Sequence, residues 1–505
     1  MSQAVRRYLP VLVVLAALAA IAGALTLVNG SRPVTPTVQG KGESSAAKLI
    51  RQVAISTAIR ACPPGTDGGQ DRVVLYASSS GSGGSAALGP LPQNGVKVAV
   101  THPSTATAEG QLSLLNVPAT GDTARQQGSS VTATGAMAQG VEAEVANSSG
   151  MASVRCGEPA SDVWFVGPGQ QDGAGRIQLD LLNVDSIAAT ADLSVITDSG
   201  TVQSGSNTGI TVPPHQLVTQ SLGAQANGAS VVAIEVRTTS GRVAADVSVS
   251  SSHGSASWLP AAMTPATRLV IPGVPPSGTA ATLFLVVPGG TDAKVNVVAL
   301  TTQGRVQPFG SQLVDLPGQS ASNVQLTPLG GNAAALLLTS NVPVTAAVLI
   351  PNSTSATNTT GTTGTTTTAT STGLGTFTAA TPVIDQQAVI AGNVTGSGAT
   401  AEVALSAPGA AAHVRLTEIA EGGQAASPQT LTVPSGRTLV TQLKAPRRGA
   451  PFTIVLTPLA GSGPLYAARI ESQSQGGVAS IVPALTAPTT VGLPPVRESY
   501  WAIAP

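Results

Sequence analysis

Short runs in which apolar and small polar residues alternate, each closed by a Gly, Pro, Asn or Asp turn, recur from about residue 50 onward. Alternation with period two puts every second side chain on one face of an extended strand. The turn residues then cut the strands short. A chain written this way folds into sheets. Little helical periodicity competes after residue 30, and the stretch 46–59 fits either a short helix or an opening strand.

The alternating segments also repeat. Residues 232–247 (VAIEVRTTSGRVAADV) read as a hairpin about Ser240-Gly241. Residues 141–156 (VEAEVANSSGMASVRC), 335–349 (ALLLTSNVPVTAAVL) and 453–470 (TIVLTPLAGSGPLYAARI) read as further copies. Three copies carry an upstream strand headed by Val-Pro or Leu-Pro: TVPPHQLVTQSL (211–222), DLPGQSASNVQL (315–326) and TVPSGRTLVTQL (432–443). Farther upstream, 179–200, 283–304 and 403–423 correspond in the same way. Copies roughly 100–120 residues apart are long enough to bury their own cores, unlike a propeller blade of about 40 residues. Each offers about seven short strands, the number in an immunoglobulin-like sandwich.

The expected fold class is therefore all-β: an N-terminal transmembrane helix followed by tandem immunoglobulin-like β-sandwich repeats. A β-propeller-like ring or a continuous sheet stack is the alternative. The sandwiches are expected at 48–160, 161–262, 263–351 and 377–505, with 352–376 (NSTSATNTTGTTGTTTTATSTGLGT) as a Thr-rich disordered loop. That tract lacks an apolar period and offers hydroxyls that could carry sugars.

Arg6 and Arg7 precede an apolar run at 9–28. Such a run spans roughly 30 Å as a helix, the thickness of a bilayer core, and exceeds the usual apolar stretch of a cleaved signal. The positive flank places the N-terminus in the cytoplasm. Residues 1–30 are thus expected to be a cytoplasmic tip and a plasma-membrane signal-anchor, with cleavage within 20–24 as the alternative. Residues 31–47 form a spacer, and the rest lies outside the cell. Cys62 and Cys156, the two cysteines, are expected to form a disulfide there.

Charged residues make up only 10% of the chain, with 24 Lys+Arg against 24 Asp+Glu. That balance removes the electrostatic basis for binding nucleic acid or for polybasic membrane attachment. The four histidines are scattered singly, and no nucleophile elbow, phosphate loop or dinucleotide fingerprint is present. Asp67 and Asp71 are better explained as turn carboxylates than as calcium ligands. No catalytic residue, metal or cofactor is expected. Aromatics are 2% of the chain, and Trp164, Phe165, Trp258, Tyr500 and Trp501 fall near domain boundaries. Packing between domains is their expected role, and a sugar-binding platform the alternative.

The motifs CPP (62–64), the segment GMASVRC closing at Cys156, DVWFVGPG (162–169) and SWLPAA (257–262) resemble an uncharacterised actinobacterial family of single-anchor secreted proteins. The resemblance implies a location and a bacterial group and carries no functional residues with it. Taken together, the expected function is that of a non-enzymatic envelope scaffold or interaction module. It would meet the membrane through one helix, and cell-wall glycan or envelope proteins beyond it. An accessory glycan-binding role in surface-polysaccharide assembly, or an enzyme of unknown class, are the alternatives.

Overall fold

The second repeat shows how the strands are used. It contains Asp162–Pro168, Arg176–Asn183, Ala189–Thr197, a fourth strand in two pieces (Gly200–Val202 and Ile210–Val212), Gln216–Ser221, Val231–Ser240, Ala244–Ser250 and Ala256–Leu259. Strands one, six, three and four pair in that order as a first sheet; strands five, two, seven and eight make a second. All these pairings are antiparallel. Ile177, Leu179, Val195, Ile234 and Val247 fill the space between the two sheets.

This is a computed structural model, and it describes residues 51–493 apart from segments that include 65–71, 93–104, 117–126 and 147–152. The expected anchor and spacer, together with Tyr500 and Trp501, lie outside the described residues. Among the described residues no helix is long and apolar enough to cross a membrane.

The same interleaved order recurs in the other three repeats. It differs from the immunoglobulin arrangement, in which the first, second, fourth and fifth strands share a sheet. It also corrects the expected hairpins. Val231–Ser240 and Ala244–Ser250 do not pair; the chain arches from one sheet to the other at Ser240-Gly241. In the third repeat the two strands are one bent strand, Ala334–Ile350, whose halves belong to the two sheets, with Pro343 near the bend. Residues 453–470 make the same arch. Residues 141–156 do form a hairpin, but from the seventh and eighth strands, one strand out of step with the other copies. Alternation identifies a strand and its faces without naming its partner, and both arms are apolar enough to sit in either sheet.

The Val-Pro and Leu-Pro segments place His215, Gln319 and Gly436 at the same turn position, with φ of 52°, 54° and 70°. Two non-glycine residues accept the left-handed conformation there because the turn between the fourth and fifth strands requires it.

The Thr-rich tract also departs from expectation. Ser355–Gly361 pairs with Gly364–Thr370 as an antiparallel hairpin. It is inserted inside the third repeat, because Thr376–Ala379 returns to pair with Ala334–Ile350 as that repeat's eighth strand. The fourth repeat's first strand is Ala388–Asn393.

Many strands show no polar face: Thr282–Val287 is buried throughout. A strand of that kind has layers on both sides, and the repeats supply them to one another. The first sheet of repeat one meets the second sheet of repeat two, with Ala61 and Leu91 on Leu182 and Leu217. Repeat two meets repeat three in the same way, drawing Phe284, Val286 and Leu349 into its cluster. Repeat three meets repeat four: Val270 and Leu337 pack with Tyr466, and the Thr438 hydroxyl donates to Leu300 O at 2.6 Å. Repeat four then meets repeat one, with Val389, Ala391 and Val455 on Val74 and Tyr76. That last contact closes eight sheets into a ring within Gln52–Val491.

Two bulged glycines set the spacing. A Cβ on Gly273 (φ 81°) would come within 2.5 Å of Ala468 Cβ, and one on Gly392 (φ 70°) would meet Val74 at 3.4 Å. The eighth strands touch in turn, Ala256–Leu259 to Thr376–Ala379, then Gly477–Pro483, then Ser153–Arg155. The four repeats converge along these strands, which therefore mark the inner side of the ring. The arrangement shares a propeller's face-to-face packing, although its sheets are interleaved rather than simple meanders.

Candidate functional site

Cys62 ends the first strand of repeat one and Cys156 follows its eighth, and the two are joined by a disulfide. The bond ties one sheet of the sandwich to the other. Trp164 and Phe165 are buried in the second repeat's first strand. Trp258, on that repeat's eighth strand, packs into the core of repeat one beside Val154 and Cys156. These three aromatics therefore sit in packing. His215 occupies its turn, and His413 shares a 3.1 Å contact with the Thr432 hydroxyl. Asp67, Asp71, His102 and His253 lie outside the described residues.

The structure brings together charged residues that the sequence reading passed over. In repeat two, Asp180 on the second strand lies directly opposite Asp246 on the seventh. On these strands Leu179, Leu181, Ala245 and Val247 face the repeat's own core. Asp180 and Asp246 alternate with them and so face repeat one, beside Leu182 and Ala244. Asp180 Oδ1 accepts from the Thr219 hydroxyl at 2.7 Å and from Gln178 Nε2 at 3.3 Å. Burial pushes the Asp180 carboxyl up to about 6, against the pull of those hydrogen bonds and of Arg176. Burial, and then the neighbouring Asp180 charge, raise Asp246 well above the usual carboxylate range.

Both shifts have the same consequence for stability. The folded protein holds these protons more tightly than the unfolded chain does. Their contribution is complete below the unfolded-state value near pH 4 and is lost as pH rises through about 6 and beyond. At about 1.4 kcal/mol per unit, Asp180 alone accounts for a loss of about 3 kcal/mol. Urea unfolding at roughly pH 5 and pH 8 checks this. Asp180→Asn should be more stable than the parent at the higher pH, with the difference shrinking at the lower one. A parent whose stability rises across that window would contradict the assignment.

Asp246 also lines a pocket at the inner side of the ring, where strands of repeats one, two and four meet. Its walls include Val154, Trp258, Leu259, Ile481 and Pro483, and its charged groups are Asp246 and Arg155. The volume is about 600 Å³, including the space open to solvent. Paired carboxyls with raised values also occur in acid–base sites, but Asp180 does not line this pocket.

From Arg155 a chain of charges runs outward. Arg155 pairs with Glu142, Glu142 with Arg60 at 3.4 Å, and Arg60 with Glu158 at 2.6 Å. Arg60 and Glu158 help line a second pocket. Arg469 of repeat four is fully buried and reaches Glu144 of repeat one at 2.6 Å, Glu471 at 3.8 Å and Ala391 O at 3.0 Å. Burial pushes Glu471 up to about 7 despite Arg469 and the backbone N–H of Val394. These residues did leave a mark in the sequence: VEAEV, LDLL, AADV and ARIES each place a charge inside an apolar strand. In a chain so poor in charge, that placement signals a buried partner on the neighbouring layer.

Fold and site define an all-β ring protein with a buried ion pair, Arg469–Glu144, across a sandwich boundary. The chain belongs to DUF5719, a family of unknown function, whose model matches residues 116–444. That span contains Glu142, Glu144, Cys156, Asp180, Asp246 and Trp258, while Cys62, Arg469 and Glu471 fall outside it. No curated protein matches the chain.

Proposed function

We propose that this chain is a non-enzymatic, membrane-anchored protein of an actinobacterial cell envelope, whose ring of sandwiches stands outside the plasma membrane as a scaffold or interaction module. The observation that carries this reading is where the buried charges go. Arg469 pairs with Glu144 across a sandwich boundary and with Glu471 on its own strand, and Arg155, Glu142 and Arg60 pair within repeat one. Charges committed to one another hold a shape, which is what a scaffold needs. The Arg6-Arg7 flank before 9–28 supports the anchor, and the disulfide suits an oxidising compartment. The glycan platform loses its main support, since Trp164, Phe165 and Trp258 are buried.

Protease added to intact spheroplasts is expected to digest the ring while the N-terminal segment stays protected. Cross-linking in the same envelopes is expected to join the ring to wall polymer or to envelope proteins in discrete adducts. A soluble mature form beginning within 24–30, or a ring that forms no adducts, would contradict this function.

A further inference from the structure

We propose that the pocket on the ring's inner side binds a small amphipathic monocarboxylate. The ligand's carboxylate lies between Arg155 and Asp246, and its apolar body lies against Trp258 and the Gly477–Pro483 strand. This goes beyond the scaffold role and does not depend on it.

Two polar atoms in the pocket's walls point to a ligand. Arg155 Nε and Asp246 Oδ2 are both buried without a hydrogen-bond partner. Both residues line the pocket, and Asp246 is only 5% exposed. A buried donor or acceptor left unpaired is costly, and one ligand group reaching both relieves both. Arg155 Nε donates. Asp246 in its neutral form, favoured by its burial beside Asp180, donates as well. Two donors, one of them cationic, match the two oxygens of a carboxylate.

The surroundings narrow the class. Arg155 already shares its charge with Glu142, so a dianion such as a phosphate monoester would bring charge with no counterpart. The remaining walls are Trp, Leu, Ile, Val and Pro, which fit a hydrocarbon or aromatic body rather than a polyhydroxylated sugar.

The test uses the full-length protein in lipid nanodiscs and 3-phenylpropionate as the probe. Binding is read as quenching of Trp258 fluorescence, with Trp258→Phe as the blank. Saturable binding is expected, with 3-phenylpropanol at least about tenfold weaker. Arg155→Met should weaken the acid by about tenfold or more, whereas Asp246→Asn, which still donates, should stay within about threefold. Asp246→Leu should lose binding, and circular dichroism identifies any variant that has failed to fold. If Arg155→Met does not fold, Arg155→Lys takes its place, since it keeps the charge without the Nε donor. No saturable binding overturns the proposal. So do equal affinities for the acid and the alcohol, or Arg155 variants that bind as the parent does, because those mark nonspecific apolar association.

Discussion

Replacing Arg469 by Met is expected to destabilise the protein by about 3–5 kcal/mol, the usual cost of removing one partner from a buried ion pair. The guanidinium is wholly buried and answers two carboxylates, Glu144 from repeat one and Glu471 from its own strand. Without it, both acids sit in a low-dielectric layer with no cation opposite. They must then either stay charged at high cost or take up protons. The loss should therefore be larger at pH 8 than at pH 5, since protonation relieves it. Urea denaturation at both pH values measures it. The double replacement Arg469→Met with Glu144→Gln should recover part of the stability, because it removes a stranded charge. An Arg469→Met variant within about 1 kcal/mol of the parent would mean that the pair does not hold the layers together.

Removing the disulfide is the second large effect. Cys62→Ala with Cys156→Ala is expected to cost about 4–5 kcal/mol in the chain-entropy model, given a separation of 94 residues. The bond joins the two sheets of repeat one, whose outer faces pack on repeats two and four. Hydrogen exchange should show the loss first in Thr57–Cys62 and Ser153–Arg155. Both cysteines are fully buried, so reductant should act on the folded parent only slowly. A double-alanine variant with the parent's stability and exchange pattern would show that sheet packing alone secures the first repeat.

The class of fold was legible because alternation and turn residues are local. So was the disulfide, because two cysteines allow a single pairing within the chain. The sheet order was not legible. Residues 232–247 look the same whether the two arms pair with each other or arch between layers, and only their partners decide. The expected hairpin at 453–470 failed for that reason. The Thr tract at 355–370 misled in the opposite direction. Lacking an apolar face, it shows no period, yet Thr favours extended backbone and its two arms pair in register through Gly361 and Gly364.

Ring closure was hidden as well, since it rests on faces that only the assembled sheets create. The candidate site was half visible. Trp258 stood out because aromatics are rare. Asp180, Asp246, Glu144 and Arg469 did not, although each interrupts an apolar strand. Their partners lie on other strands, and for Glu144 and Arg469 the separation is 325 residues.

That separation also supplies the sharpest test of the closed ring. A double-mutant cycle between Glu144→Gln and Arg469→Met, followed by urea unfolding, measures how far the first and fourth repeats depend on each other. If the fourth repeat closes on the first, the two changes should be coupled by about 1–3 kcal/mol, as for residues in one buried network. Additivity to within about 0.5 kcal/mol would place the two residues apart in the folded protein and contradict the ring.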